Sequence, residues 1–117
     1  MKKERIKQLI INGKIIYTFD YNIIEYINLN TKVIVLLDVF IKNSTINENV
    51  YCVDMEGKLI WQMEQITRAK SDSPITGMNM LNNFLLQVFD LSGEYFILDT
   101  GNGKIVDSSR GKGIRPW

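Results

Sequence analysis

The sequence feature that most constrains the fold is a short motif, glycine-lysine followed by two aliphatic residues, which occurs three times at nearly even spacing. An asparagine or a glutamate precedes each glycine, and Asn-Gly between apolar runs is a strong signal for a tight β-hairpin. Glycine supplies the left-handed backbone that such turns need, and aliphatic residues suit a pleated strand. The motif predicts hairpins at Asn12-Gly13-Lys14-Ile15-Ile16, Glu56-Gly57-Lys58-Leu59-Ile60 and Asn102-Gly103-Lys104-Ile105-Val106.

The glycines of the motif lie 44 and 46 residues apart, and this period matches one four-stranded propeller blade. Polar turn residues divide the remaining sequence into short apolar runs, and Ala69 is the only alanine, which disfavours helices. We therefore predict one all-β domain over residues 1–117. It is expected to be an antiparallel meander of about nine or ten short strands in two blade-like sheets, packed as a propeller fragment or a sandwich.

The number of blades leaves two arrangements open. A propeller normally needs at least about four blades, whereas this chain has room for roughly two and a half. The blades either pack face to face in a monomer, which we favour, or several copies assemble around an axis. Residues Val33–Leu37 are apolar on both alternating sides, as expected for a central strand with two covered faces. A short helix over Glu64–Ala69 is compatible with the pattern, and Pro74 would stop a longer one.

The chain shows no signal for export or membrane insertion. Its longest apolar run, Val33–Leu37, has five residues, far fewer than a membrane-spanning helix needs. The basic N-terminus lacks the apolar segment and cleavage site of a secretory signal. Cys52 is the only cysteine, so no intrachain disulfide can form. We expect a cytoplasmic protein that does not contact a membrane.

The formal net charge of +1 conceals an uneven distribution along the chain. Residues 1–14 carry five basic residues against one acidic residue, and residues 104–117 carry four against one. Residues 15–103 carry five against eleven, a net charge of −6. An acidic body disfavours direct nucleic-acid binding, which needs a basic face, and favours a basic protein partner. The alternative is that these charges only solvate the surface.

The sequence excludes the commonest catalytic arrangements. It contains no histidine, which removes Ser-His-Asp and Cys-His catalysis and histidine-based zinc sites. Cys52 lies in a strand pattern without a base nearby in sequence, so we expect a buried structural residue. We expect no enzymatic activity, no cofactor and no metal.

Three acidic segments could be mistaken for catalytic or metal sites. The pairs Asp54/Glu56 and Asp90/Glu94 fall on tight turns, where aspartate accepts hydrogen bonds from backbone N–H groups. Residues 99–103 faintly resemble a calcium loop, but the remaining ligand spacing is missing. We expect each of these segments to form a turn.

One stretch carries a resemblance to a known kind of repeat: Asn49-Val50-Tyr51-Cys52-Val53-Asp54-Met55-Glu56-Gly57-Lys58-Leu59-Ile60-Trp61. It resembles the repeats of pyrroloquinoline-quinone-type propellers, in which an aromatic residue, an aspartate, Gly-Lys and a tryptophan follow in this order. The copy at Tyr95–Val106 is longer by a residue and lacks the tryptophan. The resemblance implies a blade-like scaffold only. No quinone site is carried over, because quinone enzymes need many blades around a polar central pocket.

A second resemblance concerns function. Residues 33–38, 47–50 and 59–62 look like stretches of small bacterial immunity proteins of polymorphic or contact-dependent toxin systems. This resemblance implies an antitoxin-like inhibitor, monomeric when free, that binds a cognate toxin and occludes its active site. A basic nuclease domain is the expected partner. The alternative is a non-catalytic propeller-like interaction module that self-assembles or docks in a larger complex.

Aromatic residues beside acidic ones are the remaining candidates for binding. Exposed tyrosine or tryptophan next to carboxylates would form a protein-binding hot spot. For Trp61 we favour a place in the sheet core, whereas Tyr21 and Tyr26 fit either interpretation, and carbohydrate stacking is a third possibility. We predict partner contacts from surface acids and one aromatic anchor: Asp20, Tyr21, Glu25, Glu48, Asp72, Asp90 and Glu94.

Overall fold

Short β-strands make up the regular structure of the described part of the chain. A computed structural model describes residues 6–39, 47–66 and 73–109. Within these three ranges there is no helix, and hence none long and apolar enough to cross a membrane. The strands are β1 (Gln8–Ile11), β2 (Lys14–Thr18), β3 (Asn22–Asn28), β4 (Lys32–Asp38), β5 (Val50–Asp54), β6 (Leu59–Gln62), β7 (Ile75–Met80), β8 (Leu85–Asp90), β9 (Tyr95–Asp99) and β10 (Ile105–Ser108).

The strands form three layers. Strands β1 and β2 make a two-stranded N-terminal hairpin, β3–β6 make a central sheet in the order β3-β4-β5-β6, and β7–β10 make a C-terminal sheet in the order β10-β9-β8-β7. All paired strands are antiparallel and neighbours in sequence. The predicted all-β antiparallel meander is confirmed.

The three copies of the glycine-lysine motif occupy equivalent places. Gly13, Gly57 and Gly103 have φ values of +80°, +89° and +77°, in the left-handed region that glycine adopts at little cost. They lie in the β1–β2, β5–β6 and β9–β10 turns, and the last two close the final hairpin of a four-stranded sheet. The N-terminal hairpin therefore corresponds to the second half of such a sheet, and the described residues form two and a half repeating layers.

The central sheet is covered on both faces. Alternate residues of β4 belong to two separate cores: Ile34 and Leu36 pack with the C-terminal sheet, whereas Val33, Val35 and Leu37 pack with the N-terminal hairpin. All five are at most 2% exposed. Because side chains alternate along a strand, only a strand between two layers can bury every residue. This confirms the expectation for Val33–Leu37.

Side-chain hydrogen bonds join the two four-stranded sheets. The amide of Asn49, which is 0% exposed, donates to the carbonyl oxygens of Leu37 and Ile75 at 2.7 and 2.9 Å and accepts from Ile75 N–H at 2.8 Å. At the other end, the carbonyl oxygen of Thr100 accepts from Trp61 Nε1 at 2.9 Å and from Lys32 Nζ at 2.7 Å. Trp61 is 7% exposed, so its predicted place in the core is confirmed.

Two local features differ from a purely sequence-based expectation. Strand β7 begins at Ile75, two residues before Gly77, a residue type that is depleted in strands, and Asn49 from another layer pairs with the backbone of Ile75. Residues 64–66 of the suggested helix are not helical, and the rest of it lies outside the described residues. Glu64 instead bonds the last hairpin: its N–H donates to Gly103 O at 2.9 Å and its Oε1 accepts from Ile105 N–H at 2.7 Å.

Candidate partner-binding groove

A row of aromatic rings lies where the N-terminal hairpin meets the central sheet. The ring centroids of Tyr17 and Phe19 are 4.6 Å apart, and those of Phe19 and Tyr51 are 5.9 Å apart, both pairs in tilted geometry. The N–H of Phe19 donates to the carbonyl oxygen of Lys7 at 2.9 Å. This bond ties the end of β2 to the residue before β1, and it sets Phe19 in the core between the layers.

The aromatic row borders a groove of about 160 Å³. Phe19 and Leu37 are 6% and 2% exposed and form its deepest part. Three tyrosines are half-buried around them, and an exposed aspartate and threonine stand at the rim. The lining comes from chain segments far apart in sequence: Tyr17, Thr18, Phe19, Asp20, Tyr21, Leu37 and Tyr51.

The electrostatic surroundings of the groove favour a cation. Burial raises the pKa of the Tyr51 phenol above its ordinary value of 10.0, and the neighbouring groups Tyr21, Asp20, Tyr17 and Glu48 act in the same direction. With a pKa raised above 10.0, Tyr51 keeps its proton at pH 7. None of the seven lining residues is basic. The groove therefore combines polarisable rings with the negative charge of Asp20 at its rim.

Glu48 contributes its charge from a fixed position. Its Oε2 accepts a hydrogen bond from the N–H of Ile66 at 2.9 Å, and its backbone oxygen accepts one from Gln62 Nε2 at 2.9 Å. The side chain is half-buried and close enough to influence Tyr51. Asp20 is exposed at the rim.

The profile of a family described as Domain of unknown function (DUF7957) matches residues 3–110, which is most of the sequence. The chain belongs to this family. No curated protein and no solved structure matches it.

In this DUF7957 domain, the predicted contact residues do not form one surface. Asp20 and Tyr21 line the groove and Glu48 lies close to it. Glu25 lies on β3 in a different groove of about 470 Å³, beside the exposed Tyr26. That second groove is mostly apolar and is lined by Ile6, Gln8, Leu9, Ile10, Ile23, Ile24, Glu25 and Tyr26.

The remaining predicted contacts are separate again. Asp90 and Glu94 lie at the β8–β9 turn of the C-terminal sheet, and Asp72 is outside the described residues. Asp90 is 7% exposed, and its Oδ1 accepts from Ser92 N–H at 3.0 Å, Ser92 Oγ at 2.8 Å and Glu94 N–H at 2.9 Å. Its carboxylate therefore shapes the turn, as expected for an aspartate at that place.

The other acidic segments are also organised as turns. Asp54 Oδ1 accepts from the N–H groups of Glu56 and Lys58 at 2.9 Å each. Asp99 Oδ1 accepts from Gly101 N–H at 2.7 Å. The predicted turn roles of these carboxylates are confirmed.

Sequence reasoning did not include Tyr17 and Tyr51 among the contacts, although they form two walls of the groove. The alternation along β5 places Tyr51 and Val53 on one side and Cys52 on the other. This alternation predicts which face of the central sheet Tyr51 occupies. It does not predict that the N-terminal hairpin covers that face, and the groove forms only where it does.

Cys52 lies on the opposite side, in the core between the two four-stranded sheets. It is 0% exposed. Burial raises the pKa of its thiol to about 11, an effect that Asp54 reinforces and Lys32 opposes. A thiol of this kind stays protonated and inert at neutral pH.

Proposed function

We propose that this chain is a cytoplasmic immunity protein that binds a cognate bacterial toxin and occludes its active site. A basic nuclease domain is the partner that fits best, because nucleases bind phosphate through basic surfaces. The observation that carries the proposal is the groove bordered by Tyr17, Tyr21 and Tyr51, with Asp20 at its rim and Glu48 beside it.

The chemistry of the groove suits a protein interface. Tyrosine is enriched at interfaces because it offers a large, rigid contact area with one polar end. Hot spots are central, well-packed positions from which partner binding excludes water. The half-buried tyrosine rings around the buried Phe19 and Leu37 already form such a well-packed position. Negative charge around the rings would steer a basic partner to this face and speed its association.

The test uses the protein encoded next to this chain. The neighbouring reading frame would be co-expressed with the wild-type chain, and rescue of growth and formation of a purified complex would be measured. If the neighbouring product is toxic and the chain restores growth by binding it, the immunity function is supported. If the chain neither binds that product nor protects cells from it, the proposal fails.

Charge reversal locates the interface. Asp20→Lys should weaken binding by more than roughly tenfold, mainly through slower association, and should flatten the salt dependence because an attractive charge is lost. Glu25→Lys is the matched control, since it makes the same charge change at an exposed position in the other groove. Equal effects of the two variants on affinity would show that the partner does not use the aromatic groove.

One observation favours a second candidate function, a self-assembling propeller-like module. The N-terminal hairpin has two strands where the other layers have four. Ile10 and Ile15, which pair across the hairpin, are 42% and 52% exposed. A second copy could cover this surface. Sedimentation velocity over a hundredfold concentration range would show a rising mass for this candidate and a constant monomer mass against it.

A further inference from the structure

The size of the aromatic groove restricts what it can hold. Its volume is about 160 Å³, whereas pockets for drug-sized ligands are roughly 300–1,000 Å³. A cavity of about 150 Å³ accommodates a single benzene-sized molecule. The groove is therefore matched to one side chain or one small planar group.

The walls of the groove favour a planar cation. Tyr17, Tyr21 and Tyr51 are half-buried, so part of each side chain remains open to the groove. Aromatic faces attract cations, and the attraction strengthens when water is excluded. Guanidinium is flat, weakly hydrated and stacks on rings, whereas ammonium is compact and strongly hydrated. The aromatic walls therefore select arginine over lysine.

The position of the Asp20 carboxylate also favours a guanidinium group in the groove. Asp20 is exposed and lies at the rim, next to Tyr21 in the sequence and beside Tyr51 in space. A carboxylate can accept two parallel hydrogen bonds from one guanidinium. Glu48, whose Oε2 accepts a hydrogen bond from the N–H of Ile66 at 2.9 Å, is close enough to Tyr51 to add negative potential. A cation in the groove would thus meet rings on its faces and a carboxylate at its edge.

We infer that the groove holds one arginine side chain of the toxin, with the guanidinium stacked against the tyrosine rings and paired with Asp20. This inference rests on the proposed function, and it names the chemical group that the partner inserts. The arginine is the anchor of the complex, and the surrounding surface supplies shape complementarity.

The experiment uses the full chain and a small probe, N-acetyl-arginine amide. Its binding is followed by NMR of the tyrosine ring resonances at millimolar concentrations. N-acetyl-citrulline amide has nearly the same shape without the charge, and N-acetyl-lysine amide has the charge without the plane. We expect dose-dependent shifts of Tyr17, Tyr21 and Tyr51 with the arginine probe, smaller shifts with lysine and none with citrulline.

Two variants identify the site of binding. Asp20→Asn should weaken the arginine probe about threefold to fivefold, as expected for loss of one exposed ion pair. Glu25→Gln removes a carboxylate from the other groove and should leave the affinity unchanged. Because both residues are exposed, both variants should fold, and circular dichroism would verify this. Equal shifts with citrulline, or an unchanged affinity in Asp20→Asn, overturns the inference.

The inference and the proposed function can fail separately. If the toxin binds wild type and Asp20→Asn equally and the arginine probe causes no shift, the arginine site is wrong while the immunity function stands. If the arginine probe shifts the groove tyrosines but the neighbouring product is neither bound nor neutralised, the arginine site stands and the immunity function fails.

Discussion

Replacing Gly103 by alanine tests how closely the last motif turn packs against the core. Gly103 has a φ of +77°, and a Cβ atom there would lie 2.5 and 2.7 Å from Cε3 and Cδ2 of Trp61. Real Cβ atoms do not approach ring atoms that closely, so the indole would have to move. Its hydrogen bond from Nε1 to Thr100 O, 2.9 Å long, would then be strained or lost.

Three contributions add up to the expected loss of folding stability in Gly103→Ala. The left-handed backbone costs an L-residue roughly 1–2 kcal/mol. Moving the Trp61 side chain off its rotamer costs about 0.5–1.5 kcal/mol, and an unpaired buried indole N–H costs about 1–3 kcal/mol. We therefore expect Gly103→Ala to lower the free energy of unfolding by roughly 2.5–6.5 kcal/mol, a large share of a typical domain's stability.

Two glycines provide matched controls. Gly13 and Gly93 have φ values of +80° and +95°, and a Cβ at either would meet no atom within 4 Å. Gly13→Ala and Gly93→Ala should therefore cost only the backbone contribution, roughly 1–2 kcal/mol. Urea denaturation followed by far-UV circular dichroism gives all three values. If Gly103→Ala were no more destabilising than the two controls, the packing argument for Trp61 would be refuted.

Two further predictions concern the buried polar atoms. Asn49→Ala leaves the N–H and carbonyl of Ile75 and the carbonyl of Leu37 without their side-chain partner. The free energy of unfolding, measured by urea denaturation, should therefore fall by roughly 3–5 kcal/mol. A fall below about 1 kcal/mol would contradict the role of Asn49 in linking the two sheets. Burial raises the pKa of Cys52 from 9.0 to about 11, so between these pH values the folded state keeps a proton that the unfolded state loses. The free energy of unfolding should therefore fall by about 2 kcal/mol from pH 9 to pH 11. Cys52→Ala, although less stable overall, should show a correspondingly smaller fall, and an identical fall would contradict the assignment.

The turns were predictable because their chemistry is local. Asn12 and Gly13 both have positive φ, 54° and 80°, as a tight Asn-Gly hairpin requires. Asp54 bonds the N–H groups of its own turn. Such interactions involve residues within a few positions of each other, so the sequence contains all the information. The pairing of strands on either side of a tight turn followed from the turn, since short antiparallel connections leave few alternatives.

The start of β7 was not predictable in the same way. Gly77 carries a weak strand signal, because glycine is depleted in strands, yet the strand includes it and begins at Ile75. The deciding interaction is Asn49, which binds the backbone of Ile75 from 26 residues away. No local pattern encodes a partner at that distance.

The candidate groove was only partly predictable. Asp20 and Tyr21 are neighbours in sequence, and an exposed acid beside a tyrosine is a recognisable pattern. Tyr51 and Leu37 join them only because the N-terminal hairpin covers one face of the central sheet. Asp90, like Asp20, directly follows a phenylalanine in the sequence. Its carboxylate, however, is buried and accepts hydrogen bonds within its own turn.

The sequence by itself determined the class of fold, the motif turns and the buried character of β4, because each depends on backbone preference and on alternation along one strand. Only the tertiary structure decided which layers stack, because stacking depends on contacts between residues far apart in sequence. The three motif copies have equivalent turns, yet a Cβ at Gly13 would meet nothing and one at Gly103 would meet the ring of Trp61. The same glycine-lysine turn therefore has different tertiary contacts in each copy. The aromatic groove likewise exists only where the N-terminal hairpin packs on the central sheet.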